Sequence, residues 1–411
     1  MFKQEYLDEM KKIQENILYF IENEEEDDGN FQNFIQIIND FKICDNQHKL
    51  KSVLYLITNI SQNHHRGPNF SQKIKQILNF LKDKIKIFFS NWDIFNIFIN
   101  DRMILLYLIE EQIIIIDEPI VIKYMNKFSY PPNYTTFFQP EFKPFLYKDY
   151  FHNYEIPENF SELRRIGEND SYICELIRND SIVDFITYVH QKNIPLTSNI
   201  PDSIFETNSY LNEIKYNYGH MPTLIEYAAF FGSIQIFKYL FNNDAKFEST
   251  LWYFAIHSQN NELIGILEEE GVQLVDFNVR DRHDESLHGN DQYINMNHYL
   301  FYESIKCHHI NIARYLMDKF QKDDDEDEKS KIFYKSLRYY NFAFIQEEFI
   351  NKSCFQRLCS YDYYILVDIL LKQGGIDLNE ITILPNDFLI KFKSANHFNV
   401  IINENIFIGF T

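Results

Sequence analysis

The chain has 411 residues, a formal net charge of -21, and 45% apolar residues with 39 Phe and 28 Tyr. That length exceeds one usual compact domain and asks for two units or an elongated array. The sign of the charge repels phosphate backbones and argues against a nucleic-acid partner. Gly and Pro, at 11 each, are too few for the tight turns of a sandwich or barrel, so helices with short connections are expected.

Cys44, Cys174, Cys307, Cys354 and Cys359 are scattered and form no CxxC pair. This predicts reduced thiols in a cytosolic or nuclear compartment, with an intracellular, cytoplasmic protein as the leading expectation. The N-terminus shows no basic-then-apolar leader, since acidic residues recur from Glu5 onward. The most apolar stretch, Met103 to Ile122, is interrupted by Glu110, Glu111, Asp117 and Glu118, so no membrane span is expected.

Residues 1–126 read as an N-terminal bundle of amphipathic helices. Phe2, Tyr6, Met10, Ile13, Ile17 and Phe20 recur at helical spacing, followed by the acidic run Glu24 to Asp28. A second stripe is Phe31, Phe34, Ile35, Ile38 and Phe41. After an apolar segment from Ser52 to Ile60 comes the breaker Gly67-Pro68. A third stripe runs through Ile74, Ile77, Leu78, Leu81, Ile85 and Phe88, with Lys73, Lys75, Lys82, Lys84 and Lys86 on its other positions. That pattern describes a core-facing helix with a solvated basic face. Residues 127–160 form a Pro- and aromatic-rich connector. Pro131, Pro132, Pro140, Pro144 and Pro157 fall there, which predicts extended rather than helical chain packed on the protein itself.

Beyond residue 160 the signal is self-similarity. The anchor is Thr223-Leu224-Ile225-Glu226-Tyr227-Ala228-Ala229-Phe230-Phe231-Gly232, in a chain with only seven alanines. Counting from Ala228, Gly232 stands at +4, Ile236 and Phe237 at +8 and +9, and Leu240 at +12. The same ruler from Ala255 meets Gln259, Leu263, Ile264 and Leu267; from Ser304 it meets His308, Ile312, Ala313 and Leu316. From Leu358 it meets Asp362, Leu366, Val367 and Leu370. An upstream copy starts at Leu176, with Asp180 at +4, and a poor one at Ser336, where Glu348 takes a core position. The pattern describes helix pairs: a small residue for close approach, a turn at +4, and an apolar stripe on the second helix. No single pair can bury that stripe, so the pairs must stack.

The Thr223 to Gly232 segment resembles the ankyrin pattern T-P-L-H-x-A-A-x-x-G, departing at Leu224 for Pro and at Glu226 for His. The stretch from Tyr172 through Pro222 to Leu240 resembles a divergent ankyrin-type domain of unknown function expanded in protist parasites. In that family a helical N-terminal region usually precedes the repeats, and His64-His65-Arg66 and Met103 to Glu110 look similar to it. The resemblance implies an all-α fold with an ankyrin-like helix-pair solenoid over 161–375, closed by a C-terminal helical cap or incomplete repeat over 376–411. It also implies protein recognition. In ankyrin-like stacks the two positions after the small pair face the concave side; here that gives Phe230, Phe231, His257, Ser258, Lys306 and Cys307 as partner contacts.

Chemistry is not expected. In Cys307-His308-His309, adjacent side chains on a helix diverge by ~100° and cannot converge on one ion, and His308 falls at the interhelical turn. His64-His65-Arg66, ahead of Gly67-Pro68, reads as a loop that caps and hydrogen-bonds, with an anion contact as the alternative. There is no phosphate-binding glycine loop and no nucleophile elbow. The expectation is therefore a non-catalytic module without metal or cofactor that binds an unidentified protein partner. The alternative is a scaffold that self-associates through its N-terminal helices. The acidic runs, at Glu24 and from Asp323 to Glu328, read as solvated loops.

Overall fold

A computed structural model describes residues 2–23, 28–67, 69–128, 133–146, 156–243, 245, 250–272, 296–320 and 326–374. Among them the chain is all-helical and has no strand. One isolated antiparallel bridge joins Asn199 to Thr223. The polar stretch 276–291, the cap 376–411, Glu24–Asp27 and Asp323–Asp325 lie outside the described residues. The rest of the second acidic run, read from sequence as a solvated loop, instead opens a helix at Glu326, with Glu328 buried.

The helices are α1 Lys3–Glu22, α2 Asp28–Asp40, α3 Gln47–Asn63, α4 Phe70–Phe88, α5 Asn91–Phe98, α6 Arg102–Glu110 and α7 Glu118–Lys127. They continue as α8 Asn133–Phe137, α9 Gln139–Phe142, α10 Phe160–Ile166, α11 Tyr172–Arg178, α12 Ile182–Gln191 and α13 Ser209–Tyr218. Next come α14 Leu224–Phe231, α15 Ile234–Asn242, α16 Leu251–His257, α17 Asn261–Glu269, α18 Met296–Lys306 and α19 Ile310–Phe320. The last are α20 Glu326–Arg338, α21 Phe355–Ser360 and α22 Tyr364–Gln373.

Two compact units form. One takes the described parts of Met1–Leu18, Asp28–Leu54 and Asp325–Thr411; the other takes those of Tyr19–Asp27 and Tyr55–Asp324. Residues 1–126, read from sequence as one region, are thus shared between them.

In the first unit Tyr6, Met10, Ile13 and Ile17 of α1 are buried as their spacing predicts, whereas Phe2 precedes the helix and is 82% exposed. The buried Gln14 amide donates to Asn341 Oδ1 at 2.8 Å, and its oxygen accepts from the Ala343 N–H. Stacked rings of Tyr340 and Tyr363 add an aromatic core. The poor repeat at Ser336 has no second helix. After α20 the chain makes short 3-10 turns at Phe342–Phe344 and Glu347–Phe349, because Glu348 supplies no apolar stripe.

In the second unit the α4 stripe of Ile74, Ile77, Leu78, Leu81 and Ile85 is buried. Lys73, assigned from sequence to the solvated face, is buried as well and donates to the Asn23 carbonyl. The connector is helical rather than extended over 133–145, where α8, α9 and a 3-10 turn at Lys143–Phe145 form, and the chain turns extended at Leu146. Pro140 and Pro144 sit at first-turn positions, where a helix has no use for the missing N–H. Phe137, Phe138 and Phe142 are buried there, around Tyr124.

The repeats appear as helix pairs. In the second unit α11 pairs with α12, α14 with α15, α16 with α17 and α18 with α19; α14 packs between α11 and α16, and α16 packs on α18. In the first unit α21 pairs with α22. Every +4 residue, Asp180, Gly232, Gln259, His308, Tyr340 and Asp362, has a positive φ between 48° and 68°. That left-handed residue ends the first helix in a Schellman-type turn. In five of these turns the +5 N–H donates back to the zero-position carbonyl: Ser181 to Leu176, Ser233 to Ala228, His309 to Ser304, Asn341 to Ser336 and Tyr363 to Leu358.

Three of the +5 side chains share a further feature and donate to the +1 carbonyl of the preceding pair, while Asn260 at the same position donates to the Gly232 carbonyl. Ser233 Oγ reaches Ile177 O at 2.5 Å and His309 Nδ1 reaches Ile256 O at 2.8 Å. Within the first unit, Tyr363 Oη reaches Leu337 O at 2.9 Å. The repeat is therefore marked by a polar +5 residue as well as by its apolar stripe.

Glu226 is buried at the start of α14. It closes a capping box with Thr223 and accepts from Thr250 Oγ1 at 2.6 Å, tying α14 to the N-terminus of α16.

Candidate functional site

The His64–Gly67 loop between α3 and α4 connects two buried polar networks of the second unit. The first centres on α16 and α18. His64 Nδ1 donates to the Cys307 carbonyl at 2.9 Å, and His64 Nε2 lies 3.2 Å from Glu22 Oε1. The backbone N–H of His65 donates to His309 Nε2 at 3.4 Å. Behind these, His257 Nε2 meets Glu303 Oε1 at 2.8 Å. Lys306 Nζ stands 3.2 Å from both Glu303 Oε1 and Glu213 Oε2. Tyr210 covers the His257 ring at 4.0 Å between centroids, and Phe230 flanks it at 5.1 Å.

Burial, reinforced by the neighbouring His64 and His257, brings His65 down to about 4. Burial, then His64, holds His309 well below its ordinary value, and burial also lowers His257 against the pull of Glu303. Burial on its own raises Glu303, yet Lys306 and the bond from His257 bring it down to about 2. Burial and the Glu303 carboxylate push the Cys307 thiol far up.

His257, Glu303 and Cys307 present a soft and borderline donor set, with one ligand atom from each lying within 4.8 Å of the others. The geometry does not fit an ion. Cys307 Sγ is nearly equidistant from the two ring nitrogens of His257, at 3.3 and 3.7 Å. A sulfur in line with one nitrogen's lone pair would be much farther from the other. The sulfur is therefore not in line with either ring nitrogen, as a shared tetrahedral ion would require of its ligands. The Lys306 ammonium already neutralises Glu303. The same placement denies a Cys–His–Glu nucleophile: the thiol is 0% exposed, stays protonated and is not lined up with its base.

The second network gathers around Arg66, whose guanidinium bonds Thr207 Oγ1 at 2.8 Å, Glu168 Oε1 at 3.2 Å and the Gly167 carbonyl. Glu206 accepts the Asn208 N–H through Oε1, while its buried Oε2 has no hydrogen-bond partner. Burial and the nearby Glu168 raise Glu206 to about 7, against the pull of Arg66 and Arg178. Burial likewise raises Asp101, and it pushes Cys174 up to about 12.

Of the six residues read as partner contacts, the structure brings Phe230, His257, Lys306 and Cys307 together, but inside the molecule. Phe230, His257, Ser258, Lys306 and Cys307 are all buried, and only Phe231 is partly open. Tyr210 and Glu303 pack against His257 there. A binder touching this face would meet Phe231 alone.

The sequence reads Cys307-His308-His309 as structural, with His308 at the interhelical turn, and His64-His65-Arg66 as a capping loop. The structure places them against each other across a separation of 244 residues. His308 does sit at the turn, as expected.

The first unit holds an open groove of about 650 Å³, walled by Lys3, Asp8 and Lys11 of α1 and by Glu347, Glu348 and Asn351. Lys3 is engaged there with the Ile350 carbonyl at 2.9 Å. Among the described residues no helix is long and apolar enough to cross a membrane. No family model, curated protein or solved structure matches the chain.

Proposed function

We propose that the chain is a non-catalytic protein-interaction scaffold, with an ankyrin-like solenoid as its binding part. The observation that carries this reading is the common register of the helix pairs. The same +4 left-handed turn and +5 donor recur from pair to pair, and stacked pairs of this kind build extended surfaces rather than enclosed sites. A non-catalytic role is supported by the Cys–His–Glu cluster, whose thiol is buried and protonated.

Since five of the six concave-position residues are buried, the contacts are assigned to apolar groups left open: Tyr172 at 50%, Val183 at 74% and Tyr315 at 43% exposure. Tyr172 also meets Tyr188, with ring centroids 5.0 Å apart. Exposed aromatic and aliphatic side chains on a rigid helical face make good anchors. The test is affinity capture from the native lysate with the wild-type chain and with Tyr172→Ala plus Val183→Glu, both checked for folding by circular dichroism. Loss of the captured protein in the double variant supports the reading. Capture of nothing by the wild type, or of the same proteins by both, refutes it.

One observation favours self-association as a second reading. The Asn91 side chain exchanges two hydrogen bonds with the Ile115 backbone, at 2.7 and 2.9 Å. Trp92, next in the chain to Asn91, and Ile115 itself are both exposed, at 40% and 70%. Light scattering on the full chain decides it: a dimer dissolved by Trp92→Glu supports self-association, and a monomer removes it.

A further inference from the structure

We propose that the His64–Gly67 loop is an acid-opened clasp, latched by the Nδ1–H tautomer of His309. His309 occupies the +5 position and, as Ser233 does with Ile177, donates to the +1 carbonyl of the preceding pair. His309 fulfils this with Nδ1, 2.8 Å from the Ile256 carbonyl. A carbonyl only accepts, so Nδ1 must carry the proton. The other nitrogen, Nε2, faces the backbone N–H of His65 at 3.4 Å. An N–H only donates, so Nε2 must be bare. One protonation state satisfies both neighbours, the neutral imidazole with its hydrogen on Nδ1. A second proton would set N–H against N–H and break the bond that holds the loop.

Every group around His309 bears on this switch. From the loop, His64 lies edge-on, with ring centroids 4.8 Å apart, and the His65 ring is bonded to the backbone of His257. From α1 the Glu22 carboxylate pairs with His64 and accepts from Gln259. From α16 comes His257 and from α18 come Glu303, Lys306 and Cys307; Glu213 of α13 holds Lys306. The carboxylates are each engaged with another cation or donor, which leaves none to receive a proton arriving at His309. The depressed proton affinities of His65 and His309 agree with this arrangement.

The sign follows from linkage. A histidine whose closed-state value is lowered stabilises the closed loop fully above its free value of about 6.5, and that stability is lost as the pH falls below it. Between pH 7.5 and 5.5 the open fraction therefore rises about tenfold for each histidine that is released. Opening would free His64, His65 and Arg66 together, because the three are consecutive and each is engaged in one of the two networks.

Hydrogen exchange on the full chain tests the clasp, read on peptides spanning 64–67 at pH 7.5 and 5.5 after correction for the intrinsic exchange rate. The wild type is expected to open at least about tenfold more at pH 5.5. In His309→Gln, whose amide can donate and accept at both pH values, that rise should be smaller by about tenfold. A flat wild-type response, or the same rise in both proteins, overturns the proposal. Should the variant not fold, imidazole nitrogen shifts of wild-type His309 at pH 7.5 decide. The Nδ1–H tautomer is required; an Nε2–H tautomer or an imidazolium refutes it.

Discussion

Glu226 is the most exacting place to perturb the repeat. It is 2% exposed, and its two oxygens receive the Thr223 N–H at 2.8 Å, the Thr223 hydroxyl at 3.0 Å, the Thr250 hydroxyl at 2.6 Å and His220 Nε2 at 2.9 Å. Glu226→Gln keeps the shape but replaces one accepting oxygen with an NH₂ group. That group must then point at a donor, either Thr250 on one side or the Thr223 cap on the other. Hydrogen bonds to a charged acceptor contribute roughly 1.5–3 kcal/mol each, and a buried donor left without a partner costs about 1–3 kcal/mol. Losing one or two of them makes the expected destabilisation about 2–4 kcal/mol. The assay is urea unfolding followed by far-ultraviolet circular dichroism. Thr250→Val should couple to Glu226→Gln by more than about 0.5 kcal/mol in a double-mutant cycle, since the two groups touch. A single-variant loss below about 0.5 kcal/mol, or strict additivity with Thr250→Val, would refute the idea that Glu226 ties consecutive helix pairs together.

Further predictions follow from the turns, the buried acid and the thiols. Gly232→Ala places a Cβ at a φ of 68° and 3.4 Å from Ser258 Cβ. It should cost about 1–2 kcal/mol, whereas Gln259→Gly, at a φ of 56°, should not destabilise by more than a few tenths; thermal melts compare the two. Glu206, raised to about 7 by burial and then by Glu168, contributes stability that is present below its unfolded value near 4.5 and is lost as the pH rises through 7. Glu206→Gln should therefore flatten the stability profile between pH 5 and 8, and an unchanged slope contradicts the raised value. In the native chain a thiol reagent should modify half-buried Cys44 first and Cys307 only on unfolding. Peptide mapping after timed alkylation reads this directly.

How much of this was legible in the sequence depends on how local the interactions are. The +4 turn, the +8, +9 and +12 stripe and the helical character of 1–126 depend on neighbours a few residues away, so spacing alone placed them. Asp180, Gln259 and His308 adopt the left-handed turn without being glycine, and only the shared register pointed to them. The connector was misread because proline was weighed as a breaker, while Pro140 and Pro144 fall in first turns where it is tolerated. The contact residues were misread for a non-local reason. Tyr210 of α13 and Glu303 of α18 close over His257, and no periodicity within a repeat announces a covering side chain from elsewhere. The pairing of His64-His65 with His309 was equally invisible. Its one trace was the +5 position of His309, recognisable only once Ser233 and Tyr363 showed what that position does.

Site-resolved hydrogen exchange at five amides tests the helix-pair register most directly: Ser181, Ser233, His309, Asn341 and Tyr363. Each is bonded back to the zero-position carbonyl of its own turn. The repeat account predicts that at pH 7.5 all five exchange as slowly as the amides in the middle of their first helices. If they exchange at the rate of open loop amides instead, the common turn is absent, and with it the stacked helix pairs on which the proposed scaffold rests.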